Sequence, residues 1–258
     1  MRILFIGDIV GECGLEYIEN NLSRIQSENK INLVIANAEN ITNGRGLKKR
    51  DYQRLMSAGV SVITMGNHTF SQKEIREYID DSKIVRPANF NTNIGSGYIT
   101  INYNDKKITI VNMLGRVYMN NMSLDSPFTV MDNILSEVKS DYIIVDMHAE
   151  ATSEKIAFGF DFDGKVSAVV GTHTHVPTAD LRVLPKGTLY VSDIGMTGPY
   201  NGVLGDDLDT IIERFRSGVY IPSQVSKDPG FQFNAVILDL NGIKNTISRV
   251  SIIEEKSK

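Results

Sequence analysis

Short apolar runs rich in β-branched residues alternate along this chain with longer stretches of helical spacing. Residues 3–6, 31–36, 60–64, 142–145, 166–170 and 189–191 are such runs, each bounded by turn signals, and each reads as a buried strand. Between them, residues 15–28, 47–58 and 71–79 carry apolar positions at helical intervals. Ser71 and Glu74 have the spacing of a capping box, and Ser126-Pro127 opens a helix to Val138 with proline at the first helical position. Strand–helix–strand alternation predicts an α/β fold. Two regions depart from it. Residues 97–113 hold two alternating runs around Asn104-Asp105, and residues 231–253 hold two more around Asn241-Gly242, so both read as hairpins. Antiparallel additions of this kind imply a mixed sheet or two stacked sheets. Residues 112–127 are polar and irregular, a surface loop or a loop over a site. No repeat, low-complexity segment or linker interrupts the pattern, so residues 1–258 read as one domain.

Composition narrows the function classes. A chain of 258 residues buries a core without disulfide staples, and its single cysteine, Cys13, excludes an internal disulfide and argues against a thiolate zinc site. A reducing cytoplasm is the expected setting. The formal net charge of −4 gives no electrostatic case for binding long nucleic acid. The densest basic run, Lys48-Lys49-Arg50, is followed at once by Asp51 and reads as a solvated helix face. The N-terminal apolar run is too short for a signal-peptide core, and no stretch approaches the roughly 18 apolar residues of a membrane span.

The chemistry sits where the strands end. The first strand leads to Gly7-Asp8, the second to Glu39-Asn40 and the third to Gly66-Asn67-His68. Two later strands lead to Asp146-Met147-His148 and to Gly171-Thr172-His173-Thr174-His175. Open α/β sheets bind ligands beyond the carboxyl ends of their strands. The chain has 4 histidines, and all of them lie in these segments, which makes scatter a poor explanation. His173 and His175 are two apart, and in an extended segment they would point the same way. Two carboxylates, two asparagine amides and three or four imidazoles are too many for one tetrahedral zinc. A pair of metals bridged by a carboxylate uses them well. Donors of this kind suit iron, manganese or zinc, and metal pairs serve in-line displacement at phosphorus in phosphatases and nucleases.

The ordered series Asp8, Gly66-Asn67-His68, His148 and Gly171-Thr172-His173-Thr174-His175 resembles the motifs of calcineurin-like metallophosphoesterases. Ile6-Gly7-Asp8-Ile9-Val10-Gly11, Thr64-Met65-Gly66-Asn67-His68-Thr69, the segment from His148 to Lys155, and Gly195-Met196-Thr197-Gly198-Pro199-Tyr200 are similar to the YmdB branch, over residues 1 to about 255. The resemblance implies a sandwich of two mixed β-sheets flanked by helices. It also implies two divalent metals, often iron, and phosphodiesterase activity on small cyclic nucleotides, 2′,3′- or 3′,5′-cyclic. The general pattern has a histidine where this chain has Val10, and Gly-Asp where it has Glu39-Asn40, changes that the YmdB branch shares. By that resemblance Glu39 bridges the metals and Asn40 fills the position left by the missing histidine. One metal would then take Asp8, Glu39, Asn40 and His175, the other Glu39, Asn67, His148 and His173. His68, left without a metal, fits the general acid, its ordinary pKa lying near neutrality. Related phosphoesterases often associate, so a homo-oligomer is an open expectation. The same metal set would also serve a nuclease, a phosphomonoesterase or a nucleotide sensor without turnover. Among other residues, Arg116 is a candidate phosphate contact or a surface salt bridge. Asp146 and Asp193 are candidates to orient the histidines or to cap strand ends, and Tyr200 is a candidate to stack on a base or a plain turn residue.

Overall fold

The computed structural model describes residues 1–119, 124–242 and 244–255. The first half contains β1 (Arg2–Ile6), β2 (Asp8–Ile9), α1 (Gly11–Asn29), β3 (Leu33–Asn37), α2 (Lys49–Ala58), β4 (Val62–Thr64), β5 (Ile84–Val85), β6 (Tyr98–Tyr103), β7 (Lys106–Leu114) and α3 (Pro127–Glu137). The second contains β8 (Tyr142–His148), α4 (Thr152–Asp161), β9 (Ala168–Thr172), β10 (Arg182–Val183), β11 (Leu189–Val191), β12 (Met196–Pro199), α5 (Leu208–Ser217), β13 (Phe231–Asp239) and β14 (Thr246–Glu254). None of the described helices is long and apolar enough to cross a membrane.

The strands form two mixed sheets, as expected. One is ordered β2-β12-β13-β1-β3-β4-β5, with β14 paired to β13; the other is ordered β10-β11-β9-β8-β7-β6. The apolar run at residues 3–6 is continuous because it is covered on both faces. Strand alternation sends Ile3 and Phe5 between the sheets, against Ile108, Ile144 and Val170. Leu4 and Ile6 face the other way, against Leu15, Ile18 and Leu22 of α1. On the far side of the second sheet, Val111, Val145 and Val169 pack with Met131 of α3 and Phe158 of α4. The layers are therefore helix, sheet, sheet, helix. Within each sheet the ligand-bearing strands run parallel: β1 with β3, β3 with β4, and β8 with β9. Their carboxyl ends share one edge of the sandwich.

Several local expectations fail for physical reasons. Residues 71–79 form a short 3-10 turn, Lys73–Glu77, with no capping box. Glu74 Oε1 instead accepts from the Lys49 N–H at 2.9 Å, where α2 begins without a side-chain cap of its own. The second hairpin does form, β13 pairing antiparallel with β14, and it closes at Asp239↔Thr246 around a loop that contains Asn241-Gly242 and is wider than a two-residue turn, with Ile243 outside the described residues. Of residues 112–127, Asn112 to Leu114 complete β7, and residues 120–123 lie outside the described part. Pro127 does open α3, at its first turn.

Candidate metal centre

The strand ends meet because one crossing is made by glycine. A Cβ on Gly66 would overlap His148 Nε2 and Glu39 Oε2, so only a hydrogen lets the chain leaving β4 pass the two side chains. Glu39 and His148 are buried, and Glu39 Oε1 lies 3.0 Å from His148 Nε2. Asn67 Oδ1 and His173 Nδ1 each lie 3.1 Å from the same nitrogen. Ligand atoms of Glu39, His148 and His173 all fall within 4.8 Å of one another. Asp8 is fully buried; its Oδ2 accepts the His173 N–H at 3.1 Å, and its Oδ1 has no hydrogen-bond partner.

Asn40 explains how adjacent residues both reach the site. The chain turns at Glu39, and Asn40 forms a parallel bridge with Val10. Its Nδ2 donates to the Gly44 carbonyl at 3.0 Å, while its Oδ1 is buried and unpartnered. Two orphaned oxygens beside a cluster of facing acceptors are costly in a protein interior unless a cation satisfies them. The donor set, oxygen and imidazole without thiolate, fits divalent transition metals.

Tautomers are set from behind. Thr172 Oγ1 donates to Asp146 Oδ1 at 2.6 Å and lies 2.8 Å from His148 Nδ1. The hydroxyl proton is thus committed to Asp146, and the hydroxyl oxygen accepts from Nδ1, turning Nε2 toward Glu39. Thr64 Oγ1 and Asn37 Nδ2 also donate to Asp146 Oδ2, at 2.5 and 3.0 Å. His175 Nδ1 lies 2.9 Å from the Leu204 carbonyl, which can only accept, so Nδ1 donates there. Asp193 Oδ2 accepts from Thr174 N and Oγ1 at 3.0 and 2.8 Å and from buried Lys155 Nζ at 2.8 Å. Asp146 therefore stands behind His148 through Thr172, and Asp193 fixes Thr174, between His173 and His175.

The expectation of an extended His-x-His segment is corrected. β9 ends at Thr172, and His173 and His175 adopt φ of 98° and 66°. The bonds from Thr174 to Asp193 bend the chain here. Backbone of this kind in non-glycine residues costs on the order of 1–3 kcal/mol each and is typical of functional sites.

The charges are strongly coupled. Burial alone would lower the His148 pKa, but the Glu39 and Asp8 carboxylates override it and raise it to about 9. Burial would raise Glu39, but His148 and the His68 N–H, 2.9 Å from Oε2, hold it at about 2. His173 is pushed down to about 3 by burial and by neighbouring His148. The metal-free protein thus holds a proton on His148 at neutral pH, and a metal there must displace it. Uptake is expected to release protons, with apparent affinity rising roughly tenfold per pH unit toward about pH 9 and levelling above it. Metal titration in weak buffer measures this; uptake independent of pH contradicts a ligand role for His148.

A cavity of about 450 Å³ opens over the cluster. Glu39, Asn40, His68, His173 and His175 line it, together with Arg45, Glu150, Leu204 and Tyr220, which sequence reasoning missed. Glu150 Oε2 lies 3.1 Å from His173 Nε2. Two weaker candidates lie elsewhere. Arg116 lines a separate pocket with Phe128 and Glu154. Tyr200 does not line the cavity, and its N–H donates to the Gly230 carbonyl.

The profile of the family described as YmdB-like protein matches residues 4–253. The chain belongs to the YmdB-like family. It is 44% identical over 245 residues to the 2′,3′-cyclic-nucleotide 2′-phosphodiesterase of Bacillus subtilis (strain 168), covering 93% of this chain and 92% of that one. The crystal structure of a novel phosphatase from Mycoplasma pneumoniae matches with a TM-score of 0.94 at 40% identity, over 99% of this chain and 94% of that one. The NAD nucleotidase of Haemophilus influenzae shares the fold alone, with a TM-score of 0.59 at 14% identity over 98% of this chain and 56% of that one. The two-sheet sandwich of this YmdB-like chain is thus the metallophosphoesterase fold.

Proposed function

We propose that this YmdB-like chain is a dinuclear metal-dependent phosphodiesterase that hydrolyses small cyclic nucleotides, 2′,3′- or 3′,5′-cyclic. One observation carries the reading: Glu39 Oε1, Asn67 Oδ1 and His173 Nδ1 converge within 3.1 Å of His148 Nε2, beside the unpartnered oxygens of Asp8 and Asn40. The similarity to the 2′,3′-cyclic-nucleotide 2′-phosphodiesterase of Bacillus subtilis favours the 2′,3′-cyclic ring. Asp8, Glu39, Asn40 and His175 would hold one metal, and Glu39, Asn67, His148 and His173 the other. Iron is the family expectation, and manganese and zinc suit the same donors. Bound divalent metals supply Lewis acidity, which polarises the phosphoryl group and acidifies water.

The remaining work falls to the chain. His68 lines the cavity, and its Nδ1 lies 3.3 Å from Ser71 Oγ. That contact occupies Nδ1 and leaves Nε2 to protonate the leaving oxygen. Burial lowers the His68 pKa, making it a stronger acid. Asp146 through Thr172, and Asp193 through Thr174, hold the histidines in place.

A cavity of about 450 Å³ suits a mononucleotide. With net charge −4 and no basic stripe, turnover is expected to favour small cyclic phosphodiesters over long RNA, with shallow salt dependence. A panel of cyclic nucleotides and RNA at two ionic strengths checks this. Preference for long RNA, collapsing as salt rises, would indicate a nuclease. The direct test of the function is hydrolysis of 2′,3′-cyclic AMP with and without chelator. Nucleotide binding without turnover by metal-loaded protein would indicate a sensor instead.

A further inference from the structure

We propose that Tyr220 is the platform on which the substrate's nucleobase stacks, an inference that rests on the cyclic-nucleotide reading. Among the described residues lining the cavity, Tyr220 alone carries a benzenoid ring. It is 73% exposed, so a ring face is open to a ligand in the cavity. Yet it is held. The Arg214 guanidinium lies over the ring, 5.5 Å from its centroid. The same guanidinium donates to the Ile221 carbonyl and, at 2.9 Å, to Ser223 Oγ, so one cation from α5 fixes the segment that carries the ring.

That segment is tied to the metal centre. The Asp207 N–H donates to the Gln224 carbonyl at 2.8 Å, and the Ser226 N–H to the Gly205 carbonyl at 2.8 Å. These bonds join the Tyr220 strip to the strip bearing Leu204, whose carbonyl faces His175 Nδ1. The ring is thus placed relative to the candidate ligands by a short run of backbone bonds. The more exposed rings of Tyr118 and Phe215 do not line this cavity. Phe70 and Phe90 pack together, with centroids 6.0 Å apart, in a different pocket where Arg76 covers Phe70.

Stacking on one ring tolerates any base, because every base presents a π-face. Base preference is therefore expected to be broad, with purines bound more tightly than pyrimidines through their larger overlap. The test compares 2′,3′-cyclic AMP with ribose 2′,3′-cyclic phosphate, which keeps the reacting ring and lacks the base, in metal-loaded protein. Tyr220→Ala is expected to raise KM for the nucleotide roughly 10–100-fold, the usual worth of one aromatic stack. KM for ribose cyclic phosphate should move less than about twofold on the same reasoning. Tyr220→Phe should behave as wild type. Equal losses on both substrates, no loss on either, or Tyr220→Phe as impaired as alanine would overturn the proposal. A changed sedimentation state with equal losses would assign the ring to a contact between chains and overturn it too. If wild-type protein hydrolyses neither substrate, the cyclic-nucleotide reading fails by itself. Calorimetric binding of adenosine 3′-monophosphate against ribose 5-phosphate then still reads Tyr220: weaker nucleotide binding by the alanine variant supports it, and unchanged binding overturns it.

Discussion

Replacing Glu39 with glutamine is expected to empty the metal centre and reduce phosphodiesterase activity to background. Glu39 is 1% exposed, and its two oxygens face different partners, His148 Nε2 at 3.0 Å and the His68 N–H at 2.9 Å. Burial opposes its ionisation, yet His148 and His68 hold it at about 2, so it is a full negative charge at neutral pH. Glutamine keeps the shape, removes the charge and turns an NH₂ toward one donor. Fold loss is not expected, because His148 can release its proton once the carboxylate is gone. The activity loss should exceed the roughly 10–100-fold typical of a residue that merely orients a ligand. Metal content and circular dichroism of the purified variant check this. Glu39→Gln with normal metal content would remove Glu39 from the ligand set.

His68→Ala is expected to behave differently, losing rate and keeping metal. As a general acid His68 contributes roughly 10²–10⁴-fold on substrates with a poor alkoxide leaving group. The loss should shrink with nitrophenolate, which leaves without protonation. Burial lowers the His68 pKa, so its acid form is depleted as pH rises through that lowered value. Wild-type activity on alkoxide leaving groups should fall along that limb, and His68→Ala should flatten it. If the variant loses metal instead, His68 is a ligand and the assignment of roles changes.

Much of the candidate site is legible in the sequence because ligand-type residues follow β1, β3, β4, β8 and β9 in order. The run at residues 3–6 announced a strand covered on both faces, and Asp8 stands just past its end. What could not be read depends on partners distant in sequence. Spacing pairs Glu74 with Ser71, but the uncapped helix start at Lys49 captures it. Alternation points His173 and His175 the same way, but Asp193 holds Thr174 between them and the chain bends. β2 and β12 have 2 and 4 residues, too few to show a period, yet they carry Asp8 to the site. Lys155 gave no sign of being buried; its partner Asp193 lies 38 positions away. Tyr220 had no motif at all, since only the folded cavity distinguishes it from Tyr200.

One cluster is expected to hold two metals, both needed for cyclic phosphodiester hydrolysis. The most direct measurement is a titration of chelator-stripped protein with a single divalent metal. Bound metal per chain and the rate on 2′,3′-cyclic AMP are followed together. No activity is expected without metal, and full activity only as binding approaches two equivalents. Full activity at one equivalent, or activity that survives complete removal of metal, would contradict this.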